Sequence, residues 1–418
     1  MRIWTSNLLG ACLTAALLTA CGGNSFTSSM PVPAQRAGSP PSLRGYGVLY
    51  RFTKSPDGTH PEAGLINVGG TLYGTTFAGG YDYVGTVFKI TTSGTETVLY
   101  SFRGGNDGAH PEAGLINVGG TLYGTTQYGG TGDGTVFKIT TSGTETVLHS
   151  FGKGTDGAIP SAGLINVGGT LYGTTLNGGT KNYGTVFKIT TSGTETVLHS
   201  FRIGNDGAHP QAALLNVAGT LYGTTVSGGS YGKGTVFTIT TSGRETVLHS
   251  FGIGVTGTYP MAGLINVGGT LYGTTFSGAS YGNGSVFKIT PSGSEGALYS
   301  FKGGNDGANP EAGLINCAVG ALCGTTAGDA YSGGTAFLVR TSGTETVLHN
   351  FAGGADGLYP YSGLVFVKGT LYGTTQYGGS SSFDFGTVFF LNLEAAGGMP
   401  GVRIRSRSSS SDRINSRN

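Results

Sequence analysis

Several residue types recur at fixed positions, and each could carry chemistry. Aspartate followed by glycine returns at Asp57, Asp107, Asp156, Asp206, Asp306 and Asp356, with Thr256 in the remaining copy. A calcium loop needs several oxygen ligands per site. Each copy here offers one Asp, sometimes beside an Asn, so an Asp-Gly turn accounts for it better. Glu96, Glu145, Glu195, Glu245, Glu295 and Glu345 also recur. Paired carboxylates serve glycoside hydrolysis, but six equivalent glutamates read as a repeated structural feature, either surface charge or turn bonding. His149, His199, His249 and His349 share one slot with Tyr50, Tyr100 and Tyr299. A slot open to both is a packing position with a polar tip, not a metal ligand. His60, His110 and His209 precede prolines, where other copies have Ile159, Tyr259, Asn309 and Tyr359. Two or three of these histidines meeting around a pore could hold a metal. Lys89, Lys138, Lys188 and Lys288 trade with Thr238, Leu338 and Phe390. That pattern fits a half-buried slot with snorkelling side chains rather than a phosphate site. No metal or cofactor is expected from these sets.

All these positions belong to a unit of about fifty residues that occurs seven times. Its closing phenylalanine falls at Phe52, Phe102, Phe151, Phe201, Phe251, Phe301 and Phe351. Leu-Tyr-Gly-Thr-Thr starts at Leu72, Leu122, Leu171, Leu221, Leu271 and Leu371, and reads Leu322-Cys323-Gly324-Thr325-Thr326 in the sixth unit. In the second unit the spacing predicts four strands. Strand a covers 113–118, strand b 121–126, strand c 135–140 and strand d 145–151, with Gly119-Gly120 and Ser142-Gly143 as tight turns. Four short antiparallel strands per repeat of this length mark a β-propeller blade.

The repeat is offset at its ends. Residues 46–52 match the last strand of a unit with nothing before it, and the seventh unit, 360–393, lacks that strand. An all-β, seven-bladed propeller over 45–393, closed by strand 46–52 joining the last blade, follows. Closure removes exposed edges. An open solenoid is the alternative, but it leaves the offset unexplained.

The 81 glycines sit at fixed places in the period, which reads as turns, not linker. A net charge of +2 argues against nucleic acid, whose partners cluster Lys and Arg. Residues 1–20 have the charge and apolar length of an export signal, too short to span a membrane as a mature helix. They run into Leu18-Thr19-Ala20-Cys21-Gly22, which resembles a bacterial lipobox with Cys21 lipidated. An ordinary signal peptide is the alternative. Residues 21–44 then read as lipidated Cys21 plus a flexible tether. Gly22 lacks the aspartate that favours inner-membrane retention, which points to the outer membrane. Residues 394–418 read as a disordered Arg/Ser tail. Cys317 and Cys323 depart together from the repeat, facing each other across a hairpin. In an exported chain that predicts a disulfide, with free buried thiols as the alternative.

Gly-Gly-Thr-Leu-Tyr-Gly-Thr-Thr followed by Gly-Thr-Val-Phe-Lys-Ile resembles the GloVer tandem-repeat family of bacterial surface proteins, over about residues 46–392. The resemblance implies an exported, propeller-like protein of unassigned activity and offers no catalytic residues. Members often carry a C-terminal sorting anchor. The Arg/Ser tail here has no apolar segment, so anchoring would pass to Cys21.

Strand parity puts the b–c and d–a loops on one face of the disc, and these loops vary between copies. Variable loops on a rigid scaffold are where binding residues sit. That face gathers Tyr81, Tyr83, Tyr128, Tyr183, Tyr231, Tyr281, Tyr331, Tyr377 and Phe383. Their flat bodies and polar tips suit a glycan or an envelope protein. The expected function is therefore a lipid-anchored, monomeric binding scaffold. A polysaccharide lyase or hydrolase would need unlike polar residues that break the repeat and converge. The visible breaks, Asp82, Asp133, Lys181, Lys233, Asp329 and Asp384, are scattered one per unit. A purely architectural envelope protein is the third reading.

Overall fold

Each unit reverses direction where its glycines permit it. Gly69 and Gly70 take φ of 61° and 94°, and Asn67 Oδ1 accepts the Gly70 N–H at 2.9 Å. Positive φ at both central positions is what a type I′ hairpin demands. The structure, a computed structural model, describes residues 45–393 apart from 54, 153, 253, 255, 330, 331 and 381–383. The expected signal peptide, lipidated Cys21, tether and tail lie outside the described residues, as do Tyr331 and Phe383. Among the described residues no helix is long and apolar enough to cross a membrane.

The first blade pairs Ile66–Val68, Thr71–Thr76, Thr86–Thr91 and Glu96–Ser101 in chain order, and five more blades repeat it. The seventh takes Val365–Val367, Thr370–Thr375 and Thr387–Asn392, and its fourth strand is Tyr46–Arg51. Val48 pairs with Phe389 and Tyr50 with Val388, so the offset closes the ring as expected. Every c–d pair carries one β-bulge, as between Val136 and Phe137. A bulge bends its strand and increases the local twist.

Strand a is shorter than its apolar run suggested, Ile116–Val118 instead of 113–118. The residues before it bond to the neighbouring blade instead of to strand b. The Ala113 carbonyl accepts a hydrogen bond from Thr75 Oγ1 at 3.2 Å. The same bond recurs at each junction and finishes with Thr374 to the Ala63 carbonyl, last blade to first. Beside it, each closing phenylalanine packs edge-on against the strand-c phenylalanine of the next blade, from Phe52–Phe88 to Phe351–Phe389. Most of these rings are fully buried. The Thr-Thr pair therefore does two jobs: its first hydroxyl ties blades, and its second bonds strand c, as Thr126 Oγ1 does with Thr135 Oγ1 at 2.8 Å.

The glycine of Leu-Tyr-Gly-Thr-Thr is required by packing. A Cβ on Gly173 would lie 2.6 Å from Phe187 Cζ and 2.8 Å from Leu164 Cδ2. Gly173→Ala is expected to cost about 1–3 kcal/mol through overpacking. Gly168 also has positive φ but faces nothing within 4 Å, and the equivalent Ala218 already takes φ 50°. Gly168→Ala is expected to cost less than about 1 kcal/mol. Paired thermal melts of the two variants check the order.

Candidate functional site

The disc has a central channel, and one repeat position points its side chain there. It is the residue after each repeat proline: Glu62, Glu112, Ser161, Gln211, Met261, Glu311 and Tyr361 line a cavity of about 390 Å³. Proline fixes the entry to strand a. The residue before it takes left-handed φ, 57° at both His60 and His110. Strand a starts at the face of the d–a loops, so this ring of side chains lies toward that face. Among the described residues, no lysine, arginine or histidine lines the channel. Gln127 donates to Glu112 at 2.8 Å and to Ser161 Oγ at 3.3 Å, while Gln376 donates to Glu62. Burial, then the Glu112 carboxylate, pushes Glu62 and Glu311 up to about 7. Burial also raises Glu112. Glu62 and Glu311 can therefore hold or release a proton near neutrality. Three carboxyls, an amide, a hydroxyl and a phenol thus converge. They are the unlike, repeat-breaking set that the sequence reading sought among the loops and did not find. The signal was present: one varying position between the fixed proline and the fixed Ala/Ser-Gly/Ala-Leu.

The tyrosines of the same face divide into two groups. Tyr81, Tyr83, Tyr231 and Tyr281 stand out in solvent, at 70%, 62%, 68% and 58% exposure, with Tyr128 at 43%. Tyr183 is half-buried against His209, and Tyr377 packs on His60 and Tyr359 nearer the channel. Of the mouth histidines, two tie adjacent blades. His110 Nδ1 meets the Phe77 carbonyl at 3.0 Å and His209 Nδ1 the Leu176 carbonyl at 3.1 Å; Asn309 does the same to Phe276. Lys233 sits 4.8 Å from the centroid of the Tyr259 ring and donates to its hydroxyl.

The Gloeobacter/Verrucomicrobia repeat model matches residues 40–230 and again 209–400. The chain belongs to that family. No curated protein sequence matches it. Among solved structures, selenomethionine-substituted virginiamycin B lyase from Staphylococcus aureus is similar at TM-score 0.55 and 15% identity, over 82% of this chain and 97% of that one. A candidate 6-phosphogluconolactonase from Bacteroides uniformis is similar at TM-score 0.47 and 14% identity, over 71% and 86%. At such identities the likeness to the lyase shows the propeller fold alone.

In this Gloeobacter/Verrucomicrobia repeat protein the recurring Asp, His/Tyr and Glu positions meet at the outer seams between blades. The shared slot has a polar tip, as expected, and its partner is the loop aspartate. Tyr100 donates to Asp107 at 2.6 Å, and His199 and His349 approach Asp206 and Asp356 at 3.0 Å. The glutamates are not the surface charges or turn ligands that the sequence suggested. In all six, Oε1 is shielded from solvent and has no hydrogen-bond partner. Strand d of the next blade lays each one over the preceding loop. Burial, with the nearby loop aspartate, pushes Glu96, Glu145, Glu195 and Glu245 up to about 7 and Glu345 to about 8. Glu295, facing Thr256, reaches about 7 from burial. Cys317 and Cys323 form the expected disulfide in the sixth blade, with Cα atoms 5.8 Å apart. A structural disulfide fits an exported protein.

Proposed function

We propose that this protein is an envelope-anchored binding scaffold for a glycan, taken up on the face of the b–c and d–a loops. One observation carries the reading: the exposed tyrosines Tyr81, Tyr83, Tyr128, Tyr231 and Tyr281 all lie in b–c loops of that face. Exposed flat rings gathered on one side stack on sugar faces, and their hydroxyls reach sugar hydroxyls. The same face opens to the channel, where amide, hydroxyl and carboxyl groups supply directional hydrogen bonds. The anchor is lipid on Cys21.

The test is a screen of the purified protein against envelope glycans, followed by Tyr81→Ala, Tyr231→Ala and Tyr281→Ala. Each substitution is expected to weaken binding by roughly 5- to 30-fold, about 1–2 kcal/mol. Unchanged affinity in all three removes this face, and a protein ligand recovered in place of a glycan changes the partner class. A second reading rests on Glu62 and Glu311, pushed up to about 7, and on Glu112, raised by burial, as general acid or base on a bound polymer. Turnover of a polysaccharide that Glu112→Gln abolishes would establish it. Neither binding nor turnover would leave an architectural role.

A further inference from the structure

Two seams between blades each bring an imidazole and two carboxylates together. After the second blade, His149, Asp156 and Glu195 place one ligand atom each within 4.8 Å of the others; after the third, His199, Asp206 and Glu245 do the same. We propose that these two seams are sites for a divalent transition cation of the zinc class.

The donors are held in place by the repeat itself. Asp156 accepts the N–H groups of Gly152 at 3.1 Å and Gly157 at 2.8 Å, and Asp206 accepts that of Arg202 at 2.9 Å. His149 and His199 are braced edge-on by Phe151 and Phe201, with ring centroids 4.8 Å apart in each pair. Bonded carboxylates and fixed rings are what orient metal ligands. Imidazole to carboxylate distances of 3.2 Å and 3.0 Å are near the roughly 3.4 Å that two ligands subtend on tetrahedral zinc. A modest inward turn of the glutamate completes three ligands, and the solvent side leaves a fourth position for water. An imidazole donor argues against calcium, which takes oxygen ligands.

A second observation concerns the glutamates. Glu195 and Glu245, like the other four seam glutamates, each keep a solvent-shielded Oε1 without a donor, and among the described residues these are the two whose Oε1 shares a seam with both an imidazole and an aspartate. An orphaned buried carboxylate oxygen is costly, and a neighbouring cation offsets that cost.

The other seams each lack one donor. Tyr50, Tyr100 and Tyr299 replace the imidazole beside Asp57, Asp107 and Asp306. Thr256 replaces the aspartate near His249. Beside His349 and Asp356, Tyr46 stacks at 3.6 Å where a glutamate would stand. The expected stoichiometry is therefore two per chain.

The untagged protein, stripped with chelator, is titrated with Zn²⁺ by calorimetry and checked by native mass spectrometry. Two ions per chain are expected. Either His149→Tyr or His199→Tyr, each copying the residue the slot already carries elsewhere, should leave one ion, and both together none. The pair Glu145→Gln and Glu345→Gln, in tyrosine seams, should leave two. No uptake by the folded protein, or uptake unchanged in the double His→Tyr variant, overturns the proposal. Loss of uptake in the Glu145/Glu345 control overturns it as well.

Discussion

Removing residues 45–52 is expected to leave a protein that cannot hold the ring shut. The segment supplies the outer strand of the seventh blade, with Tyr46 against Leu391 and Arg51 against Thr387. It also carries Phe52, which is 3% exposed and packs at 5.2 Å on Phe88 of the first blade. Tyr46 stacks on His349 of the sixth blade, so one short strand touches three blades. Without it, Thr387–Asn392 becomes an open edge that invites intermolecular pairing. Phe52→Ala alone is expected to cost about 3–5 kcal/mol. The full deletion exceeds that by the lost ladder, a large share of the roughly 5–15 kcal/mol that folded chains hold in reserve. Light scattering after gel filtration should show association, and the melt should lose cooperativity. A synthetic 45–52 peptide added in trans should restore both in part. A truncated chain that stays monomeric and melts within about 3 °C of the parent would show that the sixfold remainder is self-sufficient.

The architecture was legible because the repeat writes it in two independent registers. Phenylalanine spacing gives the blade count, and the unmatched strand at 46–52 gives the closure. The disulfide was legible for the opposite reason, since Cys317 and Cys323 both break the pattern. The channel residues were harder to see. Glu62, Glu112 and Glu311 share their position with Ser161, Gln211, Met261 and Tyr361, so no motif repeats there. Their convergence is a property of the ring, because positions about fifty residues apart meet only when seven copies surround one axis. The seam glutamates failed differently. Alternation along strand d gives a face but not what covers it, and the covering loop comes from the preceding blade. Six copies of an acidic residue look like solvent charge until that loop is in place.

The buried carboxyls make the protein more stable in mild acid than at alkaline pH. Glu96, Glu145, Glu195, Glu245 and Glu295 are raised from 4.5 to about 7, and Glu345 to about 8. Glu62 and Glu311 also reach about 7 in the channel. A carboxyl whose folded value lies above its unfolded one binds more protons when folded. Its stabilising contribution is complete below pH 4.5 and is lost as pH rises through about 7. The groups facing the seams modify this without reversing it. Burial lowers His60 and His249, which oppose the trend below about pH 6.5. Asp156 and Asp356 are buried, yet their histidines and backbone N–H groups hold them below 3.8, so they matter only in stronger acid. The seam glutamates are partly solvated, so screening leaves roughly 1 kcal/mol each. Summed against the two histidines, the melting temperature in the presence of chelator should rise by about 5 °C or more from pH 8 to pH 5.5. Changing all six seam glutamates to Gln should flatten that slope and raise the melting temperature at pH 8, because Gln keeps the shape without the buried charge. A melting temperature that is level or falls between pH 8 and pH 5.5 would mean that these carboxylates are ionised in the folded ring, with their charge compensated within the seams.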